Sequence, residues 1–204
     1  MFDLIIKNGL VYDGKGSEPY HADLGISDEK IVEIGNIEAE GKKIIDAKGK
    51  IVTPGFVDIH THYDGQVTWD PYLRPSTYHG VTTVVMGNCG VGFSPCKPNQ
   101  RDWLIGLMEG VEDIPGTALH EGIDWEWESF PEYLDALEKK PLAIDVGTQI
   151  PHGAVRAYVM GERGINHEEA SLEEIDEMKK IVQEAVKAGA YGFSTSRTEK
   201  HNDV

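Results

Sequence analysis

The chain has 204 residues, 40% of them apolar and 26% charged, the balance of a globular protein with a sizeable core and not of a disordered chain. Its 35 acidic and 19 basic side chains leave a formal charge of −16, which argues against a phosphate-backbone partner held by clustered Lys and Arg. No stretch approaches the roughly 18 consecutive apolar residues of a membrane span, so neither nucleic acid nor a membrane is expected as a partner.

The opening MFDLIIKNGLVYDG does not read as a secretory signal, since it lacks a basic segment followed by an apolar run and a small-residue cleavage site. Two cysteines, Cys89 and Cys96, are too few for a disulfide framework, and the expected location is cytoplasmic. Residues 1–53 read as strands and turns. DLIIKNGLVYD ends at Gly14. HADLGISDEKIVEIGNI holds two short apolar runs around Ser27-Asp28-Glu29, the pattern of a hairpin. KKIIDAKGKIVTPG supplies two more β runs, broken at Gly49 and stopped at Pro54-Gly55. No helical period appears in this part.

From residue 54 apolar runs alternate with longer stretches. The runs cover residues 55–59, 82–86, 142–146 and 190–194, and their near-continuous apolar character suits a parallel sheet covered on both faces. Ser171 and Glu174 form a capping-box pattern ahead of a stripe of Leu172, Ile175, Met178, Val182 and Ala185, with Gly189 placed to end the helix. Ser129, Glu132 and Pro131 mark the start of a shorter helix reaching Lys140. The long segment from Trp103 to Trp127, rich in carboxylates, reads as an insertion that shapes a pocket or as a solvated acidic face.

Four places carry chemistry. In Asp58-Ile59-His60-Thr61-His62, histidines at i and i+2 on a strand point to one face, a geometry for a metal ion; two hydrogen-bonded loop histidines are the ordinary alternative. Gly87-Asn88-Cys89-Gly90 offers a thiolate, with glycines that permit a tight backbone around it; a buried small hydrophobe is the alternative. His152, after the third run, either faces substrate or caps the following helix. Arg197, after the fourth run, either binds a substrate carboxylate through its fork or stays in a surface loop. Ser194 and Ser196 lack the Gly-x-Ser-x-Gly surroundings of a serine nucleophile. Cys96 reads as structural or incidental.

VTPGFVDIHTH resembles the first-strand signature of the amidohydrolase superfamily, metal-dependent hydrolases on a TIM barrel preceded by β segments of a small sandwich domain. GNCGVGFSPC, residues 108–116, WEWESFPEYLDAL and Pro151–Arg156 resemble the N-acyl-D-amino-acid deacylase (D-aminoacylase) branch. The resemblance implies an α/β fold. Residues 1–53 would be the β segments of the sandwich domain and residues 54–204 the first four β/α units of a truncated (β/α)8 barrel, a fold of about 250 residues when complete. It implies zinc, one or two divalent ions per subunit, with His60, His62 and Cys89 as ligands. Asp58 would stand behind the ligands, and His152 and Arg197 would face substrate. The reaction implied is hydrolysis of a linear amide, an N-acyl-D-amino acid, to a carboxylate and a D-amino acid. The general acid–base aspartate and two further histidines of the family would come from strands after Val204, so the missing C-terminal half of the barrel is an expected partner and the chain alone is expected to be inactive. A cyclic amidase of the dihydropyrimidinase or dihydroorotase kind is the alternative, opposed by the absence of a bridging lysine in residues 144–150 and 191–197. A non-catalytic barrel fragment or binding relative is the alternative from another class.

Overall fold

A computed structural model describes residues 1–196, and the chain forms two compact units, Met1–Gly55 and Phe56–Val204. In the first unit, β1 (Phe2–Val11), β2 (Tyr20–Ser27), β3 (Lys30–Gly35), β4 (Gly41–Asp46) and β5 (Ile51–Val52) make one sheet of order β3-β2-β1-β4, with β5 also on β1. β1 runs antiparallel to β2 and parallel to β4 and β5. The expected hairpin is β2–β3. Its two turn residues, Asp28 and Glu29, have φ of 49° and 61°, the left-handed pair that a two-residue hairpin turn requires. Ile5, Leu24 and Ile37 are buried, whereas Ile31, Val32, Ile34, Ile44 and Ile45 remain exposed, because a single sheet has too little to pack against.

The second unit is built on parallel strands. β6 (Phe56–Asp58), β7 (Val81–Met86) and β8 (Asp145–Thr148) pair in that order, and β9 (Ile150–Pro151) pairs with β10 (Phe193–Ser194). Only Gln149 separates β8 from β9. The hydrogen bonds Tyr191 N–H to Thr148 O and Ile150 N–H to Gly192 O, both 2.9 Å, carry the ladder on to β10. Strand ends from four successive parallel segments therefore lie side by side. Between β7 and β8 run α1 (Arg101–Glu112), α2 (Gly116–Gly122) and α3 (Phe130–Glu138); between β9 and β10 run α4 (His152–Met160), α5 (Glu162–Ile165) and α6 (Leu172–Ala188). Val84, Met86, Phe93, Leu104, Met108, Phe130, Tyr133 and Ile150 form the core they enclose. β6 lies at the edge of its sheet, and Phe56 and Val57 are both 58% exposed.

Two of the four expected apolar runs coincide with β6 and β7, and the fourth overlaps β10 only at its end, Phe193–Ser194. The third strand begins at Asp145, three residues later than expected, because the backbone of Leu142 and Ala143 is engaged with Lys140 and Pro71. Both capping boxes form: Ser129 Oγ accepts the Glu132 N–H, and Ser171 Oγ accepts the Glu174 N–H at 3.2 Å while Glu174 accepts the Ser171 N–H at 2.7 Å. The stripe on α6 departs from expectation at its start. Leu172 is 77% exposed, because at 3.6 residues per turn it sits roughly 100° from the mean direction of Ile175, Met178, Val182 and Ala185. The segment between Trp103 and Trp127 is largely helical and supplies core residues. Its apolar spacing is interrupted by Gly106, Gly110, Pro115 and Gly116, which disguise α1 and α2 in the sequence.

The cap and the stripe give one test. Ser171→Ala should destabilise the protein by about 1 kcal/mol in denaturant unfolding, while Leu172→Ala should stay within about 0.5 kcal/mol of wild type. Equal losses would mean that Leu172 is packed.

Candidate metal centre

His60 and His62 follow the end of β6. Thr61 between them is pinned to β7: its N–H and its Oγ1 both donate to the Val85 carbonyl, at 3.0 and 2.8 Å. Strand alternation then sends the flanking imidazoles to the opposite side, where their rings lie 5.5 Å apart. The His60 N–H donates to Asp58 Oδ1 at 3.2 Å, so Asp58 steadies the backbone of the first histidine.

The end of β7 is a tight turn. Gly87, Cys89 and Gly90 have φ of 74°, 55° and 78°, and the Val91 N–H closes the turn on the Asn88 carbonyl at 3.0 Å. Gly87 is required: a Cβ there would lie 2.1 Å from the Gln149 carbonyl oxygen. Cys89 is a non-glycine residue in a left-handed conformation, a strained choice that needs support from its surroundings. Part of that support is buried Asn88. Its Nδ2 donates to the carbonyls of Thr61 (3.1 Å) and Val85 (2.9 Å), and its Oδ1 accepts from Gln149 Nε2 at 2.8 Å. One amide thus ties the cysteine turn to the residue between the two histidines and to the third strand.

The result is convergence. His60 Nε2 is 3.2 Å from Cys89 Sγ, and the donor atoms of His60, His62 and Cys89 all lie within 4.8 Å of one another. Bonds of about 2.0–2.1 Å to imidazole nitrogen and about 2.3 Å to sulfur place donors roughly 3.3–3.6 Å apart on one tetrahedral ion, so His60 and Cys89 already stand at ligand spacing and a shift of about 1 Å in side-chain torsions brings in His62. Cys89 is half-buried and forms no disulfide. Two neutral nitrogen donors and one thiol, held on adjacent strand ends, fit a zinc-like ion.

Carboxylates surround the three donors. Glu112, the last residue of α1, places Oε1 3.3 Å from His62 Nε2. Asp64 is 2% exposed, and its Oδ2 has no hydrogen-bond partner among the described residues. Burial pushes the Asp64 carboxyl up to about 7, assisted by the negative charge of Glu112 and opposed by the Gly87 N–H that it accepts. Burial, and after it Glu112, also raises the Cys89 thiol. Asp58, His60, His62, Tyr63 and Glu112 line an open cleft of about 330 Å³.

His152 is not one of the three converging donors, although its Cβ faces Gly90 of the cysteine turn. His152 is the first residue of α4, and the N-cap is Pro151, so His152 does not cap that helix. Its Nδ1 is 3.4 Å from Thr195 Oγ1, its ring meets Phe193 edge-on at 5.8 Å, and it lines a separate apolar groove with Val155 and Met178. Arg197 lies outside the described residues. Ser194 is 8% exposed. Cys96 is fully buried, its thiol pushed up to about 12 by that burial, in keeping with a structural role. Sequence reasoning missed Asp64 and Glu112. Asp64 had a signal, a carboxylate four residues after His60 in the same motif; Glu112 lies 50 residues from His62 and looked like the other acids of its segment.

The sequence pattern of the amidohydrolase family matches residues 43–203. The chain belongs to the amidohydrolase family. Among amidohydrolase relatives, D-aminoacylase of Alcaligenes xylosoxydans xylosoxydans is 35% identical over 195 residues, covering 95% of this chain and 37% of the relative. The crystal structure of D-aminoacylase that defines a novel subset of amidohydrolases superposes with a TM-score of 0.81 at 32% identity, over 98% of this chain and 40% of that one. N-acyl-D-glutamate deacylase of Bordetella bronchiseptica, complexed with zinc and a phosphonate mimic of the tetrahedral intermediate, gives 0.79 at 33% identity, over 95% and 38%. The chain therefore spans little more than a third of the length of these relatives, and the deacylase branch expected from GNCGVGFSPC is the branch to which they belong.

Thiol labelling tests the convergence. In metal-free protein Cys89 should react with a disulfide reagent and Cys96 only on unfolding. Added zinc should slow the Cys89 reaction in proportion to occupancy, and a rate indifferent to zinc would remove Cys89 from the ligand set.

Proposed function

We propose that this protein is a zinc-dependent amidohydrolase acting on a linear amide, an N-acyl-D-amino acid, releasing a carboxylate and a D-amino acid. The observation that carries this reading is the meeting of two imidazoles and a thiol within 4.8 Å at neighbouring parallel strand ends. It is supported by the 35% identity to a D-aminoacylase and by the similarity to a deacylase that binds zinc and a phosphonate mimic of a tetrahedral intermediate. In this reading residues 1–53 contribute β segments to a small sandwich domain, and residues 54–204 form the first four β/α units of a TIM barrel. The substrate is a small molecule met in the cytoplasm.

His60, His62 and Cys89 would hold the ion. Once bound, zinc would polarise the amide carbonyl and lower the pKa of a water towards about 7. The protein's own groups prepare the place. Asp58 fixes the backbone of His60, Asn88 fixes the cysteine turn against Thr61, and Glu112 stands 3.3 Å from His62 Nε2 in the open cleft. We assign His152 and Arg197 to the substrate side, with the Arg197 fork suited to a substrate carboxylate. The acidic surroundings at Asp64 and Glu112 favour a cation in the centre and disfavour additional anionic groups deep in the cleft.

The test is made on the whole protein. Zinc-loaded enzyme should hydrolyse N-acetyl-D-amino acids in preference to their L-enantiomers and stop when chelated. Cys89→Ala should lose more than the roughly 10–100-fold typical of groups that only support a ligand, and Cys89→Asp should retain more zinc than Cys89→Ala, because a carboxylate also coordinates zinc. Turnover that survives chelation overturns the reading. Full zinc occupancy in Cys89→Ala with a cold-shifted Cys89→Asp marks Cys89 as a packing residue, since a buried carboxylate there would destabilise.

A further inference from the structure

Ser194 stands at the end of β10, opposite the cysteine turn. Its Oγ donates to the Gly87 carbonyl and accepts the Gly90 N–H at 3.1 Å. One hydroxyl therefore joins the first and last residues of the four-residue turn that carries Cys89, across more than 100 residues of sequence. The hydroxyl is buried and both its donor and its acceptor capacity are used on backbone, which is the opposite of a nucleophile's situation. The turn between the two contact points holds a left-handed Cys89. Asn88 fixes the turn towards the first and third strands, but it acts through the side chain next to Cys89. Ser194 acts on the turn's backbone at both ends, and Gly153 N–H adds a bond to the Gly90 carbonyl at 2.9 Å.

We propose that Ser194 is the positioning residue of the metal-binding turn, its hydroxyl bridging Gly87 O and Gly90 N so that the Cys89 sulfur faces His60 and His62. The inference rests on the reading of Cys89 as a ligand. Without the bridge the Gly87 carbonyl and Gly90 N–H lose a buried partner, and the left-handed residue between them is free to relax and swing its sulfur off the shared point. The fourth strand then has a direct part in metal binding although it supplies no ligand to this cluster.

The experiment uses the whole protein loaded with cobalt(II), whose near-ultraviolet thiolate-to-metal charge-transfer band reports the sulfur bond without reference to activity. Ser194→Ala should weaken cobalt binding about 10–100-fold, the range for residues that orient a ligand, and diminish the band at saturating metal. Ser194→Thr, which keeps the hydroxyl, should restore both. A Ser194→Ala protein with wild-type affinity and band, even with a lowered Tm, overturns the proposal and leaves Ser194 as a stabilising hydroxyl only. If Ser194→Ala does not fold, Ser194→Val is compared with its near-isostere Ser194→Thr, which alone keeps a hydroxyl, and equal bands in the two overturn the proposal. Cys89→Ala separates the two levels. A band that persists there ends the ligand reading itself; a band lost in Cys89→Ala but intact in Ser194→Ala ends only the inference about Ser194.

Discussion

The geometry of the centre depends on a backbone turn that the sequence would not adopt unaided. At the end of β7 the chain must pass Gln149 so closely that only glycine fits at position 87, and it must then place Cys89 at φ 55°. An L-residue in that region costs roughly 1–2 kcal/mol. The turn persists because hydrogen bonds from several directions over-determine it. The Asn88 amide reaches to Thr61 and Val85, Gln149 donates to Asn88, and Ser194 takes both turn ends. The same bonds that tolerate the strain also fix the cysteine relative to the two histidines, because Thr61 lies between them and is itself bonded to Val85.

Electrostatics point the same way as geometry. The cluster sits among carboxylates: Glu112 at His62, and buried Asp64 under the turn. Burial and the negative charge of Glu112 raise the Cys89 thiol, which favours its neutral form in the absence of a cation. A divalent cation inverts that logic, since it stabilises the thiolate and the neighbouring carboxylates together. A packed, purely structural cysteine has no use for such company. Cys96, fully buried and far above the usual thiol range, shows what that alternative looks like in the same chain.

The sequence exposed what is local and hid what is assembled at a distance. His60 and His62 were readable because strand alternation alone puts them on one face, and Cys89 because glycines bracket it. The capping boxes at Ser129 and Ser171 were readable because each is written within four residues. Glu112 was not, because its place beside His62 depends on how α1 packs across 50 residues of chain. Ser194 was weighed only as a nucleophile and set aside, because no local pattern reveals that its hydroxyl meets a turn on another strand. The helices α1 and α2 were obscured by glycine and proline inside a segment whose charges drew attention instead of its buried Leu104, Met108 and Leu119. His152 was expected after the third strand and stands there, its ring edge-on to Phe193 and its Nδ1 near Thr195, contacts that no local pattern announces.

X-ray absorption at the zinc edge of the metal-loaded whole protein reads whether one sulfur and two imidazoles bind the same ion. Shared ligation gives a sulfur scatterer at about 2.3 Å together with nitrogen at about 2.0–2.1 Å whose outer-shell pattern is that of imidazole. A shell of nitrogen and oxygen alone, with no sulfur at that distance, would contradict it.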